Sequence, residues 1–299
     1  GFTYVRPGDD GIQFTDKNDV VFAAVAKRRT DQDYVDLINR CFERAGELRR
    51  KCDSPNAKKN PRGAFSRAQY GTSFGGGQKE PTPISNGKRV TQAMVEFMTL
   101  DDTREMTGIL AEQFKANFPK LVPRYKELNE SLGLNKLFLR PGDDPDDFNF
   151  LFAAMTLNLG PQVATISHRD SKNLQPGVCA IIALGRFNPQ TGGHFVMREP
   201  RLLVEFRPGD ILFVMSSVIT HFNVPLACSE EERMSWTFYT AGGLFRWQVA
   251  GKRTLKSLTT AEERSAYRNN ARRFIKQRWS DLLTRKQLVQ HWKTLARKA

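Results

Sequence analysis

The chain has 299 residues, 39% of them hydrophobic, enough for a sizeable core, yet no run approaches the roughly 18 to 20 apolar residues of a membrane span. Its four cysteines, Cys41, Cys52, Cys179 and Cys228, form no C-x-x-C pair, which argues against a structural zinc site and a disulfide scaffold and fits a reducing compartment. The formal net charge of +14 favours polyanionic partners, because each phosphate neutralised releases counterions; the plainer alternative is a well-solvated basic surface.

No signal peptide is visible, and the start at Gly1 without a methionine reads as processed or engineered. Tyr34, Leu37, Ile38, Cys41, Phe42, Ala45 and Leu48 recur at helical spacing after a cap at Thr30 or Asp31. The outer face of that helix carries Arg40, Arg44, Arg49, Arg50 and Lys51. The stretch from Ser54 to Asn86 loses its periodicity and is rich in Gly, Pro, Asn and Ser, so it reads as a long basic loop. Its run Gly75-Gly76-Gly77 lacks the Gly-Lys-Ser/Thr ending of a phosphate cradle and reads as a flexible linker. Residues 91 to 133 turn helical again, with apolar sets Met94, Val95, Phe97, Met98 and Met106, Ile109, Leu110, Phe114. Gly142 to Asp147 reads as an acidic turn.

From about Phe150 to Thr240 the pattern changes to short strands: Leu151–Leu157, Val178–Leu184, His194–Met197, Leu202–Phe206, Ile211–Met215 and Ser235–Thr240. Turn signals such as Gly160-Pro161, Pro176-Gly177 and Pro208-Gly209-Asp210 separate them. This spacing suggests a sandwich or jelly roll. The tail from Ala261 is helical and strongly basic. Tyr267, Ala271, Phe274, Ile275, Leu282, Leu283, Trp292 and Leu295 form its expected buried stripe. Arg264, Arg268, Arg272, Arg273, Lys276 and Arg278 form an expected basic ridge. The expected fold is α+β: a double-stranded β-helix core over 150–250, a helical and basic-loop elaboration over 1–149 packed on it, and a basic helical extension over 251–299, together one catalytic domain.

The chemistry concentrates in His168-Arg169-Asp170, His221 and Arg233-Met234-Ser235. Two histidines and a carboxylate in this order cap one face of an Fe(II) ion and leave positions open for a co-substrate and O₂. Arg233 and Ser235 offer a planar cation and a hydroxyl that suit the distal carboxylate of 2-oxoglutarate. A lone H-x-D occurs by accident. Here His168 and His221 both follow expected strands, and the R-x-S leads into the last one. His194 reads as a strand residue or a group behind a ligand, and His291 as ordinary.

At these residues the chain resembles the TET/JBP family of 2-oxoglutarate- and Fe(II)-dependent nucleic-acid base oxygenases, most nearly its fungal, basidiomycete-type members. The resemblance rests on His168-Arg-Asp-Ser-Lys-Asn173, Cys179-Ala-Ile-Ile-Ala-Leu-Gly185, Gly192-Gly-His-Phe195, Phe206-Arg-Pro-Gly-Asp210 and the segment from Arg233 to Trp247. It implies oxidation of 5-methylcytosine in DNA to the 5-hydroxymethyl, 5-formyl and 5-carboxyl forms, with N6-methyladenine demethylation as the alternative, and nuclear localisation. It carries the iron ligands onto His168, Asp170 and His221 and the 2-oxoglutarate anchor onto Arg233 and Ser235, with Asn158 as a further pocket residue. It places Asn173 near the base, though a turn-stabilising role is open to the same residue. A base inside a duplex must be flipped to reach a buried metal; Phe222, Phe245 and Trp247 are candidate stackers, with core packing the safer reading for Trp247. The cysteine-rich zinc region of animal members is missing, so DNA contacts are expected from the basic flanks, including Arg264, Arg268, Arg272 and Arg273, on a monomer. Rival readings are another oxygenase of the same fold, an RNA substrate, and a DNA-binding protein whose iron site is vestigial.

Overall fold

A computed structural model describes residues 1–52, 60–134 and 150–297 of the chain. The expected turn at Gly142 to Asp147 lies outside the described residues. Two sheets face each other. Numbered along the chain, the larger runs in the order β2 (Ile12–Thr15), β3 (Val21–Val25), β10 (Ile211–Val214), β7 (Cys179–Arg186), β12 (Glu232–Tyr239), β6 (Ala154–Leu159), β4 (Ser66–Ser73) and β5 (Thr82–Pro83). The smaller runs β1 (Thr3–Val5), β9 (Leu202–Val204), β8 (Phe195–Met197) and β11 (His221–Asn223). β1 and β9 run parallel; the other neighbours are antiparallel. This is an α+β architecture on a jelly-roll core.

Strand alternation divides the large sheet into two chemically distinct faces, because successive side chains point to opposite sides. On β7, Ala180, Ile182 and Leu184 face the helices, while Ile181 and Ala183 face the small sheet. On β12, Met234, Trp236 and Phe238 join the helical side. Between the sheets, Phe14, Val25, Phe206, Leu212 and Val214 make one apolar half of the interior.

The helical layer begins with α1 (Gln32–Cys52), whose buried face is Tyr34, Leu37, Ile38, Cys41, Phe42, Ala45 and Leu48, as the periodicity requires. Asp31 caps it by accepting from the Tyr34 N–H at 3.1 Å. α2 (Lys88–Met98), α3 (Asp101–Asn117) and α4 (Val122–Leu132) follow. Part of the basic outer face of α1 is tied down: Arg40 pairs with Asp102 at 2.7 Å and Lys51 with Glu96 at 3.0 Å.

The fold departs from the sequence expectations at several places. The stretch from Ser54 to Asn86 is not all loop. β4 pairs with β6 from Ser66↔Leu159 to Gly71↔Ala154. Its side chains are small or polar, so no apolar alternation marks it, and pairing with a hydrophobic neighbour supplies what propensity does not. Strands β1 to β3 also lie in the part of the chain read as helix and loop. The helical tail consists of α6 (Ala261–Ser280) and α7 (Arg285–Ala296), each opened by a capping box, Thr260 with Glu263 and Thr284 with Gln287. Leu282 and Leu283 between them are buried. Ile275 and Leu295 are exposed rather than part of the buried stripe, whereas Arg278, placed on the basic ridge by spacing, is fully buried. No described helix is long and apolar enough to cross a membrane.

Candidate metal centre and its cavity

The loop between β6 and β7 carries His168 and Asp170, and β11 supplies His221 from the facing sheet. His221 thus lies within a short strand that its sequence did not signal. Backbone pairing fixes the two histidines: the His168 N–H donates to the His221 carbonyl at 3.1 Å, and the His221 N–H returns to His168 at 2.9 Å. The Asp170 N–H donates to the Ser216 carbonyl at 2.9 Å. The ligating atoms of His168, Asp170 and His221 all lie within 4.8 Å of one another, the sole such grouping of His, Cys, Asp and Glu among the described residues.

Each imidazole is oriented by a backbone carbonyl. Nδ1 of His168 sits 2.6 Å from the Ile166 oxygen, and Nδ1 of His221 sits 2.9 Å from that of Ile219. A carbonyl only accepts, so Nδ1 carries the hydrogen and Nε2 presents its lone pair to the centre. The two Nε2 atoms lie 3.7 and 3.8 Å from the Asp170 carboxylate oxygens. Burial lowers the pKa of both rings, and the neighbouring His221 lowers that of His168 further. Both are neutral at pH 7, the state a metal requires.

Arg62, which the sequence does not single out, donates from Nη2 to Asp170 Oδ1 at 2.9 Å. It arrives from the loop ahead of β4, and nothing local in the sequence marks it. Arg67 and Gln69 of β4 also line the cavity around the triad, which measures about 460 Å³. Asn158, Ser235, Thr237 and Tyr239 complete much of its polar wall. Asn158 Nδ2 donates to Ser235 Oγ at 3.0 Å, as their register pairing places them.

Arg233 continues the face of Ser235, Thr237 and Tyr239 by one further alternation and is completely buried. Its Nη1 donates to the Val163 carbonyl at 2.9 Å, while Nε and Nη2 have no partner among the described residues. Among the described residues no carboxylate is its counterion, and burial lowers its pKa to about 10. A buried guanidinium with two unsatisfied donors is costly unless an anion meets it. The residues present therefore fit both groups: a divalent metal such as Fe(II) on the triad, and a carboxylate of a small dicarboxylate such as 2-oxoglutarate on Arg233 with Ser235.

The other expected residues separate. Both amide hydrogens of Asn173 are engaged in the fold, donating to Cys179 Sγ at 3.1 Å and Ser216 Oγ at 3.3 Å. Its N–H closes a turn onto the Asp170 carbonyl at 2.8 Å. It steadies the ligand-bearing loop and lines the cavity. His221 and Asn223 line the cavity, and alternation turns Phe222 between them to the opposite face. Phe245 is 2% exposed, with the Arg278 guanidinium 4.4 Å over its ring and Phe274 at 5.5 Å. It is chiefly a core residue. Trp247 packs on Phe74 at 4.9 Å. His194 is buried just ahead of β8, not within it, and both ring nitrogens lack partners. Arg264, Arg268, Arg272 and Arg273 are exposed on α6. At 100° per residue the first three share one flank and Arg273 falls on another.

No protein-family model and no curated protein matches the chain. Among solved structures it is similar to NgTET1 in complex with 5mC DNA, at 11% identity and a TM-score of 0.56, covering 81% of this chain and 83% of that one. It also matches OsALKBH1 at 13% identity, TM-score 0.38, covering 80% and 100%, and a 2OG-Fe(II) oxygenase family oxidoreductase from Burkholderia pseudomallei at 14% identity, TM-score 0.35, covering 66% and 76%. The likeness to NgTET1 shows the fold, a jelly-roll core.

Proposed function

We propose that the chain is an Fe(II)- and 2-oxoglutarate-dependent dioxygenase acting on a methylated base in DNA, with 5-methylcytosine the first substrate to test. The observation that carries the reading is the His168–Asp170–His221 triad in a polar cavity whose wall includes Ser235, two residues along β12 from the buried, unsatisfied donors of Arg233. When bound, iron with 2-oxoglutarate and O₂ supplies an oxidant that converts a C–H bond to C–OH with release of CO₂ and succinate. The protein's own groups do the rest. The Ile166 and Ile219 carbonyls hold both imidazoles in the ligating tautomer. Arg62 orients the Asp170 carboxylate. Arg233 and Ser235 fix the dicarboxylate, and the apolar half between the sheets excludes water.

DNA is favoured by the net charge of +14 and by the exposed arginine flank of α6, and the fold is shared with a protein solved on 5mC DNA. On this reading the enzyme works in the nucleus and on a flipped base. The test is nucleoside mass spectrometry after incubation with Fe(II), 2-oxoglutarate and duplexes bearing either 5-methylcytosine or N6-methyladenine. Oxidised cytosines support the reading. Loss of the adenine methyl replaces the substrate. No base change with succinate still formed removes the nucleic-acid assignment, and no succinate removes the enzyme.

A further inference from the structure

A second cavity, about 530 Å³, opens beside the triad's cavity and shares with it Ser171, Lys172, Asn173 and Tyr239. Its other walls are the turn at Phe74 to Gln78, α5 (Gly242–Val249) and the inner side of α6. The triple-glycine run read as a linker is a closed turn. Gln78 Oε1 accepts from the Gly75 N–H at 3.1 Å and the Gly76 N–H at 2.7 Å. Gly75 has φ +114°, and a side chain there would strike the Arg246 guanidinium. A side chain at Gly243 would collide with the Phe74 carbonyl. These two glycines let the turn and α5 close together into a wall.

The lining has the chemistry of a nucleotide site. Aromatic surface comes from Phe74, Tyr267 and Phe274, and two cations, Lys172 and Arg246, share the lining. Among the described residues no carboxylate lines it. Arg246 and Lys172 are exposed. A flat apolar wall with cations and no acid complements a base with its phosphate, and the volume falls within the usual range for small-ligand pockets. The target base must occupy the triad's cavity for its methyl to reach the metal. The nucleotide next to it in the same strand then meets the adjoining compartment.

We propose that this cavity binds the nucleotide flanking the target base, stacking it against Tyr267 and Phe74 with its phosphate at Arg246, so that it sets sequence-context preference. The inference rests on the nucleic-acid reading above, and its test separates the two. Short single-stranded DNAs carry 2-aminopurine at the target position or at either neighbour, and fluorescence is followed on binding to the protein without iron or 2-oxoglutarate. The expected result is quenching at one neighbouring position that Tyr267→Ala and Arg246→Ala each relieve, with binding weakened at least about fivefold. Ala271→Trp, which fills the cavity from α6 without touching the triad, abolishes the same signal. Equal quenching at that neighbour in wild type and all three variants overturns the proposal, as does no quenching at either neighbour. Quenching that depends on the cavity in a protein that turns over no DNA keeps the site and removes the reaction.

Discussion

Along β12, Met234, Trp236 and Phe238 sink into the helical layer, while Arg233, Ser235, Thr237 and Tyr239, one step away on the same strand, face the triad or continue its wall. The first face is buried throughout; on the second, Arg233 and Ser235 are buried and Thr237 and Tyr239 half-buried. The first consists of groups that gain by leaving water. The second holds a cation without a counterion and donors without acceptors, groups that lose by leaving water. One face accounts for why the strand is where it is, and the other only for what the strand is for. The contrast teaches that a buried polar side chain lacking a partner, set in a sheet otherwise packed to completion, marks the ligand's position.

The largest effect expected is loss of turnover in His168→Ala or Asp170→Ala, with the fold and DNA binding kept; succinate release at the wild-type rate in either variant breaks the assignment. Next, Trp236→Ala should cost about 3 to 5 kcal/mol of stability, read by denaturant unfolding, because its indole fills the helical side completely. Arg233→Met should do the reverse, leaving stability unchanged or raised by up to about 3 kcal/mol while 2-oxoglutarate binding is lost. A marked destabilisation would mean that Arg233 is a structural cation and would erase the contrast.

The pH dependence sharpens the same contrast. Burial lowers the pKa of His168 and His221 in the folded state, so below about pH 6.5 the unfolded chain takes up protons that the folded one refuses. Stability of the metal-free protein should therefore fall as pH drops through that point toward the folded values, and be insensitive to these groups above it. His221→Gln should flatten the slope in unfolding measured from pH 8 to 5. The smallest effect concerns the tail. Neutralising Arg264, Arg268 and Arg272 together should weaken DNA binding and reduce its salt slope, whereas Arg273→Ala, on the other flank, should leave the slope alone.

The sequence makes legible what depends on local spacing. The alternation over Arg233 to Tyr239, the helical period of α1 and the order of His168, Asp170 and His221 all express geometry within one element or its ends. What it hides comes from elsewhere in the chain. Arg62 reaches Asp170 across the fold. β4 is a strand because β6 is beside it. Arg278 sits at a position on α6 that spacing alone assigns to solvent, but the rings of Tyr125, Phe245 and Phe274 receive its guanidinium and Pro176 accepts its Nε hydrogen. The face of Phe222 is hidden for a simpler reason: a three-residue strand is too short for its alternation to show in the sequence.

The central claim is that the triad and the polar face of β12 are one site, and equilibrium binding of 2-oxoglutarate tests it most directly. Binding should be measured anaerobically, with and without Fe(II), to the wild-type protein, Asp170→Ala and Arg233→Met. The account predicts binding that requires Fe(II) and is lost in both variants. Undiminished binding without the metal, or in either variant, would contradict it.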